Sequence, residues 1–202
     1  MSEPPASPDA ARAALRAWRA TADETAAREL VTTLYPLVTR IVRRHATGRE
    51  SPEDLAQEVF ARFFETLAHY DDRLPLENWV ARLALNVCRN RWKHQSRRPE
   101  IRWEDLSDGE RLASEAALAT GPPLADALAD DARALLLRLL ETLPADDRLV
   151  LTLLHLEEKS VEEIATLMGW NRTLVKVRAF RARARLRRAV TALEAQKSSA
   201  RP

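Results

Sequence analysis

The 202-residue sequence has little of what enzymes, secreted proteins and membrane proteins usually need. Its four glycines do not form a glycine-rich phosphate loop, and no nucleophile–base pair or metal cluster is visible. The single cysteine, Cys88, excludes a disulfide framework and a cysteine-based metal site. No apolar run is long enough to span a membrane, and the start lacks a charged-then-apolar signal pattern. We therefore expect a cytoplasmic protein without membrane insertion, cofactor or catalytic activity.

Alanine, leucine and arginine dominate instead, and strand-like alternation is absent, which predicts an all-α fold. The formal net charge is only +2 because basic helices are offset by an acidic middle segment. This segregation indicates a nucleic-acid partner more strongly than the total charge does. The acidic, proline-containing segment is typical of a linker between two small helical domains. The expected organisation is an N-terminal extension at 1–23, a first domain at 24–98, the linker at 99–131, a second domain at 132–193 and a tail at 194–202.

The most informative stretch is 160–190, which has the pattern of a helix-turn-helix. It opens with Ser160 and, three residues later, Glu163, which together predict a capping box. A short apolar helix follows and should end at Gly169, because glycine readily adopts the left-handed backbone of a sharp exit. A second helix is expected to begin near Thr173. Two short helices joined by a tight glycine-containing turn are typical of DNA-binding domains.

The second helix of this motif divides into an apolar and a basic side. At helical spacing, one stripe should pack on the first helix: Val175, Ala179, Ala182, Leu186 and Ala189. The other side should carry Lys176, Val177, Phe180, Arg181, Arg187 and Arg188. No acidic residue occurs between Glu163 and Glu194. Such a face suits a DNA groove, although a solvated arginine-rich helix, with Phe180 folded back on a neighbour, is an alternative.

The first half of the chain should contain three core helices. The first covers 24–46, with a kink or a break expected at Pro36. Ser51 and Pro52 predict the start of the next, which should bury Leu55, Val59, Phe63 and Leu67. Its other side carries Asp54, Gln57 and Glu58, which could form an acidic docking surface. The spacing of Asp54 and Glu58 does not by itself predict a metal site, because no histidine lies nearby.

A third helix is expected at 76–96, with Leu76, Val80, Leu83 and Val87 on its buried stripe. The opposite side gathers Trp79, Arg82, Asn86, Asn90 and Lys93, and no acid occurs between Glu77 and Glu100. An aromatic ring beside amides and cations could bind a single strand, since bases stack on rings while cations hold phosphates. Alternatively, Trp79 is a core residue and the basic face is solvated.

Both halves together resemble a bacterial RNA polymerase sigma factor of the extracytoplasmic-function (ECF) type. SPEDLAQEVFARFFE is similar to the family's region 2.2, and NWVARLALNVCRNRW to its regions 2.3 and 2.4. LETLPADDRLVLTLLHLEEKSVEEIATLMGW followed by TLVKVRAFRARARLR is similar to region 4. The resemblance implies two helical domains and no room for the additional regions of primary sigma factors.

The resemblance also implies roles for individual residues. Asp54, Gln57 and Glu58 fall where the family docks on the clamp helices of core RNA polymerase. Asn86 matches an asparagine that contacts the −10 element, and Trp79 matches a tryptophan that helps primary sigma factors open the duplex. The loop 69–77 matches one that receives a flipped base. With Arg82, Asn90 and Lys93 of the same helix side, Asn86 and Trp79 are the expected −10 contacts. Residues implied to contact the −35 element are Arg172, Thr173, Lys176, Val177, Arg178, Phe180 and Arg181. An anti-sigma factor is an implied partner.

The chain departs from the family at two places. The family usually has Gly-Thr-Val-Lys-Ser-Arg at the start of the recognition helix, where this sequence has TLVKVR at 173–178. An aspartate common in region 2.4 is Asn90 here. Both changes predict altered promoter preference. The expected function is a promoter-specificity subunit that binds core polymerase and melts promoter DNA. The alternative is an autonomous helix-turn-helix regulator with an N-terminal sensor domain.

Overall fold

A computed structural model describes residues 8–46, 51–94, 101, 103–112 and 129–199 of the chain. These residues form helices and connecting turns, and no strand occurs among them, as the all-α prediction requires. The chain divides into two compact units, Met1–Trp92 and Lys93–Pro202. The helices of the first unit are α1 (Pro8–Thr21), α2 (Glu24–His45), α3 (Pro52–Thr66) and α4 (Leu76–His94). Those of the second are α5 (Ala129–Glu141), α6 (Ala145–Leu151), α7 (Val161–Met168) and α8 (Arg172–Ser199).

Local sequence signals explain where α2 and α3 begin. The Asp23 carboxylate accepts a hydrogen bond from the Ala26 N–H at 2.8 Å and caps α2. Ser51 caps α3 and is followed by a proline at the first helical position. Of the kink or break expected at Pro36, the break does not occur, because α2 continues through this residue to His45. Only one backbone donor is lost at a proline, and packing of the buried side of α2 compensates for it.

The core of the first unit lies between α2, α3 and α4. The expected stripe of α3, including the following Leu67, is buried. On α4, the expected Leu83 is only half-buried. The sequence pattern missed Trp92, which is 8% exposed and donates its indole N–H to the His45 carbonyl at 3.1 Å. This hydrogen bond joins the last turn of α4 to the last turn of α2.

Helix α1 packs against α2 and is part of the first unit. Its residues Ala11, Ala14 and Leu15 are buried. The ring of Trp18 lies 5.3 Å from the ring of Phe64 on α3. The sequence predicts a helix beginning near Asp9 but offers no packing partner for it, since a single amphipathic helix does not reveal which surface it covers.

The second unit includes a segment that was expected to be linker. Leu106 is 3% exposed and belongs to a hydrophobic cluster with Leu135, Leu139 and Leu193. Within the segment expected to be linker, Leu106 therefore packs on α5 and α8. The acidic composition of this segment gave no indication that Leu106 would be buried. The rest of the expected linker, 113–128, lies outside the described residues.

An ion pair between a buried carboxylate and a partly exposed arginine anchors the same segment. Glu110 is 6% exposed and accepts hydrogen bonds from the Arg138 guanidinium of α5 at 2.9 and 2.8 Å. Its carboxylate also accepts a hydrogen bond from the Ser107 N–H at 2.8 Å. Burial tends to raise the pKa of Glu110, but these hydrogen bonds and the arginine charge outweigh it and leave the pKa below its ordinary value.

The connection into the helix-turn-helix departs from regular α-helix. The sequence at 148–156 predicts a regular helix that leads into the helix-turn-helix, but α6 ends at Leu151 and a π-helical turn covers Thr152–Leu156. Leu149, Val150 and Leu153 are buried on both sides of this junction. The wider turn changes the helical phase, a feature that apolar periodicity alone does not reveal.

Candidate nucleic-acid interface

The first helix of the helix-turn-helix begins with the capping box that its sequence predicts. The Ser160 hydroxyl accepts a hydrogen bond from the Glu163 N–H at 3.1 Å, and the Glu163 carboxylate accepts one from the Ser160 N–H at 2.7 Å. The backbone hydrogen bond from Ser160 holds the pKa of Glu163 below its ordinary value. Both residues therefore satisfy backbone donors at the start of α7.

The turn also has the predicted geometry. Gly169 has a left-handed backbone with φ of 67°. The N–H groups of Gly169 and Trp170 donate to the carbonyls of Thr166 and Ala165 at 3.4 and 2.9 Å. This pattern ends α7 and redirects the chain within two residues. The next helix starts at Arg172, one residue before the expected Thr173.

The outer face of α8 carries cations around two exposed apolar side chains. Val175, Ala179 and Ala182 are buried against the rest of the domain, as predicted. Phe180 is 73% exposed and Val177 is 37% exposed. The placement of Phe180 against a neighbouring helix is therefore wrong. The other exposed residues of this helix include Arg172, Thr173, Lys176, Arg181, Arg187 and Arg188.

Arg178 does not share this outer face. Its guanidinium lies 2.8 Å from the Asp146 carboxylate and 3.6 Å from that of Asp147, both on α6. It also stacks on the Trp170 ring, 5.1 Å from the ring centre. Arg185, two turns further along α8, bonds to Asp147 as well. The implied −35 contact by Arg178 does not fit this geometry, because the side chain is committed to holding α8 on α6.

Sequence patterns did not identify Asp147 as important, although its carboxylate is 4% exposed. One signal was available. Arg178 and Arg185 are seven residues apart, so they lie on the same side of a helix, beside the apolar stripe. Two cations in that position require buried or half-buried acids from another helix. At the sequence level nothing indicated that the acids would come from the first turn of α6.

The expected polar side of α4 is present along most of its length. Arg82, Asn86 and Asn90 are half-buried on one side, and Lys93 is exposed near the end of the helix. Within the described residues, the side chains of Asn86 and Asn90 make no hydrogen bond to protein. Their amides can therefore offer both donors and acceptors to a ligand.

Trp79 differs from the other residues of this group. Its ring centre lies 5.7 Å from that of Phe63 and 5.1 Å from that of Tyr70. The side chain is half-buried in this aromatic cluster. The geometry supports the core alternative for Trp79 over the exposed stacking platform, because much of the ring is covered by protein. Trp79 fixes the start of α4 against the preceding loop.

The expected docking residues on α3 have different surroundings. Asp54 and Gln57 are exposed. The Glu58 carboxylate is 23% exposed and pairs with Arg62 at 3.3 Å and with Arg91 of α4 at 2.6 Å. A change at Glu58 would therefore disturb the packing of α3 on α4 as well as any docking. Next to Gln57 is a mainly apolar cleft of about 400 Å³ between α2 and α3, whose lining includes Val31, Tyr35, Ala56 and Phe60.

Metal binding and membrane insertion have no support in the part of the chain that the structure describes. No cluster of three or more histidine, cysteine, aspartate or glutamate side chains is placed to hold a metal ion there. Of the helices in these residues, none has both the length and the apolar character that a membrane crossing requires.

Comparison with known proteins identifies both units. Residues 30–98 match sigma-70 region 2, and residues 133–186 match sigma-70 region 4. Over 162 residues the chain is 32% identical to the ECF RNA polymerase sigma-E factor of Escherichia coli K12, which covers 80% of this chain and 84% of that protein. The chain belongs to the sigma-70 family. Within it, the chain is a sigma factor of the ECF type, a promoter-specificity subunit that acts with core RNA polymerase in transcription initiation.

A further relative and a solved structure are also similar to the chain. The sigma factor is 29% identical over 154 residues to the RNA polymerase sigma-H factor of Pseudomonas aeruginosa PAO1, covering 76% of this chain and 80% of that protein. The solved structure of CnrH in complex with the cytosolic domain of CnrY has the same fold, with a TM-score of 0.53 and 22% identity over 93% of this chain and 98% of that one. The alternative, an autonomous regulator with a sensor domain, is not favoured, because a sigma-70 region 2 occupies the supposed sensor.

Proposed function

We propose that this sigma factor reads the −35 element with the outer face of α8 and the −10 element with the polar side of α4. The observation that carries the proposal is the exposed face of α8. Lys176 and Arg181 flank Val177 and Phe180 there, and the sequence between Glu163 and Glu194 has no acid. When the cations of such a face contact phosphates, condensed counterions are released from the DNA, which lowers the free energy of binding.

Within this face, the apolar side chains supply sequence selectivity. An exposed phenylalanine leaves apolar surface in contact with water, which is unfavourable. On a helix that enters a DNA groove, such a side chain needs an apolar partner. In the major groove that partner is the thymine methyl group. Val177 and Phe180 therefore contact thymines, while Lys176 and Arg181 contact phosphates or guanine edges. Arg178 positions α8 and does not contact DNA.

On α4, the amides and the cations have separate tasks. Asn86 and Asn90 hydrogen-bond to base edges of the separated strand, and Arg82 and Lys93 neutralise its phosphates. Trp79 supports this surface through its contacts with Phe63 and Tyr70, which hold the first turn of α4 in place. Replacement of Trp79 would therefore reduce melting indirectly.

Docking on core polymerase uses the exposed side of α3. Asp54 and Gln57 supply polar contacts, and the adjoining apolar cleft receives a side chain of the polymerase. Glu58 contributes by fixing α3 on α4 through Arg91.

The sigma factor acts in the cytoplasm, has no catalytic activity of its own, and is controlled by an anti-sigma factor. The last of these rests on the family resemblance alone.

The experiment that tests the function is transcription in vitro with purified core polymerase and a library of genomic fragments. We expect new transcripts that depend on the sigma factor, whose mapped start sites share upstream sequences at −10 and −35. Core polymerase alone provides the control. Absence of any sigma-dependent transcript, while the chain still binds core, would contradict the proposed function.

A further inference from the structure

Residues 103–112, which we call the clasp, are attached to the second unit by a buried leucine and by hydrogen bonds from one arginine. Leu106 is 3% exposed and packs in a cluster with leucines of α5 and α8. Arg138 of α5 donates to the Glu110 carboxylate at 2.9 Å and to the Asp105 carbonyl at 3.1 Å. These contacts join part of the expected linker to the unit that carries the helix-turn-helix.

The clasp fits closely on the start of α5. A Cβ atom added to Gly109 would overlap with the Asp131 carboxylate, so the two segments approach closely at this glycine. Ser107 and Glu110 give the clasp a capping box of its own, with hydrogen bonds of 2.8 and 3.1 Å. Just before the clasp, Ile101 packs against the same leucine cluster. The attachment to the second unit therefore begins at Ile101.

While the clasp is closed, the two proposed DNA-binding faces have a limited reach. Helix α4 ends at His94, and the seven residues from there to Ile101 span at most about 25 Å. At about 1.5 Å per residue, α4 adds about 12 Å between Asn86 and His94, and α8 adds about 24 Å between Leu193 and Val177. Placed end to end in one line, these lengths reach about 60 Å.

The two promoter elements are farther apart than this reach. Their names place the −10 and −35 elements about 25 base pairs apart, or about 85 Å at roughly 3.4 Å per base pair. With the clasp open, the connection runs from His94 to Ala129, and its 35 residues span up to about 115 Å. The open chain can therefore contact both elements, whereas the closed chain can contact only one of them at a time.

We propose that the clasp prevents the free sigma factor from contacting both promoter elements, and that it opens when the promoter complex forms. The proposal rests on the proposed function, because it requires α4 at the −10 element and α8 at the −35 element. Opening exposes Leu106 and separates Glu110 from Arg138, so it has a free-energy cost that weakens promoter binding. Only contacts that favour the open state, with core polymerase or with DNA, can offset this cost.

Thiol labelling of a Leu106→Cys variant measures whether the clasp is open. A cysteine at this position is covered while the clasp is closed and reacts with a maleimide only when the clasp opens. If the open state has a population of about 0.1–10% in the free chain, labelling should be roughly 10–1000-fold faster in the promoter complex. The promoter is one mapped by the transcription experiment, and the rate is read from the mass of the labelled sigma-factor peptide.

Leu153→Cys is the matched control for unfolding of the second unit. Leu153 is also buried, but it lies outside the leucine cluster that holds the clasp. Its cysteine variant should stay protected in the free chain and in the promoter complex, as should the buried native Cys88. Equal labelling rates of Leu106→Cys in the free chain and in the promoter complex would overturn the proposal.

Leu106→Ala distinguishes a clasp from a purely structural part of the second unit. This change weakens the closed state, so half-maximal transcription at a fixed amount of core polymerase should need at least about fivefold less sigma factor. Leu112→Ala is the matched control, because Leu112 is 53% exposed in the same segment and should change nothing. An unchanged or higher requirement for the Leu106→Ala variant would show that Leu106 only stabilises the second unit, and the proposal would be wrong.

Lengthening the connection tests whether reach is the reason for opening. About 20 glycine and serine residues inserted between Gln95 and Ser96 add up to about 65 Å, which lets the closed chain reach both elements. In this lengthened chain, Leu106→Ala should lose its advantage and Leu106→Cys should stay protected in the promoter complex. Persistence of either effect would refute the reach argument. A wild-type chain that gives no transcript with core polymerase would instead contradict the proposed function.

Discussion

Removal of the Asp147 carboxylate should loosen the recognition helix without touching its DNA-binding face. Asp147 is buried at the start of α6, where it bonds to Arg178 and Arg185 of α8. Asp147→Ala leaves both guanidinium groups without this partner. We therefore expect lower stability of the second unit and weaker binding to the −35 element, even though none of these three residues contacts DNA in the proposed complex.

The size of the effect follows from the exposure of the partners. Breaking a fully buried ion pair typically costs about 3–5 kcal/mol, and breaking an exposed one about 0.2–1 kcal/mol. The side chains of Arg178 and Arg185 are 26% and 40% exposed, so water compensates part of each released charge. Asp146 also remains as a partner for Arg178. We expect a loss of about 2–3 kcal/mol in the free energy of unfolding, or roughly 10–20 °C in the midpoint for a unit of this size.

Amide hydrogen exchange in α6 and α8 is the appropriate measurement, because it reports on the second unit separately. Asp108→Ala is the matched control, since this carboxylate is 95% exposed although it pairs with Arg111 at 3.0 Å. It should change stability by less than about 0.5 kcal/mol. In an Arg185→Ala background, Asp147→Ala should cost clearly less than it does alone. A loss no larger than that of the control would refute the role of this ion-pair network.

The remaining predictions concern separate surfaces. Asp54→Lys should weaken core binding at unchanged helical content, since losing a desolvated interface charge typically costs about 2–5 kcal/mol; unchanged affinity contradicts docking through α3. Asn86→Ala should reduce open-complex formation more on duplex promoters than on templates mismatched at −10, because base capture has its own cost; equal loss indicates a fold defect. Val177→Ser should reduce discrimination at one thymine across a panel of −35 variants, and an equal loss of affinity for every variant would refute the methyl contact. Lys176→Ala should weaken binding to every −35 variant and make the slope of log affinity against log salt shallower by about one. Because the pKa of Glu110 is lowered, its ionised carboxylate stabilises the packing of its segment above the unfolded pKa. The protection factors of amides in this segment, which correct for the intrinsic pH dependence of exchange, should therefore fall as the pH falls through the folded pKa, and unchanged protection factors contradict this.

Much of the fold was predictable because helix starts and ends depend on neighbouring residues. The capping box of Ser160 and Glu163 and the left-handed Gly169 need only a few consecutive positions. The exposed face with Val177 and Phe180 follows from helical spacing once the buried stripe is known. Local chemistry therefore identifies the helix-turn-helix before any tertiary contact is considered.

Several features that the sequence did not reveal concern partners that are far apart in the chain. Glu58 was expected to face a protein partner, yet Arg91 lies 33 residues away in sequence and binds its carboxylate. Arg178 was assigned to DNA, yet two acids of α6 hold it inward. The sequence shows that a side chain is charged, but it does not show whether that side chain will pair with DNA, remain in solvent or bond to another helix.

The sequence by itself determined most of the helices, the class of fold, the family and the side of α8 that is exposed. Only the tertiary structure decided which cations remain available, because that depends on which acids folding brings within bonding distance. It also decided that α1 belongs to the first unit, and that Leu106 fixes part of the expected linker to the second. Helix formation is governed by interactions within a few residues, whereas ion pairs and clefts arise only where distant segments of the chain meet.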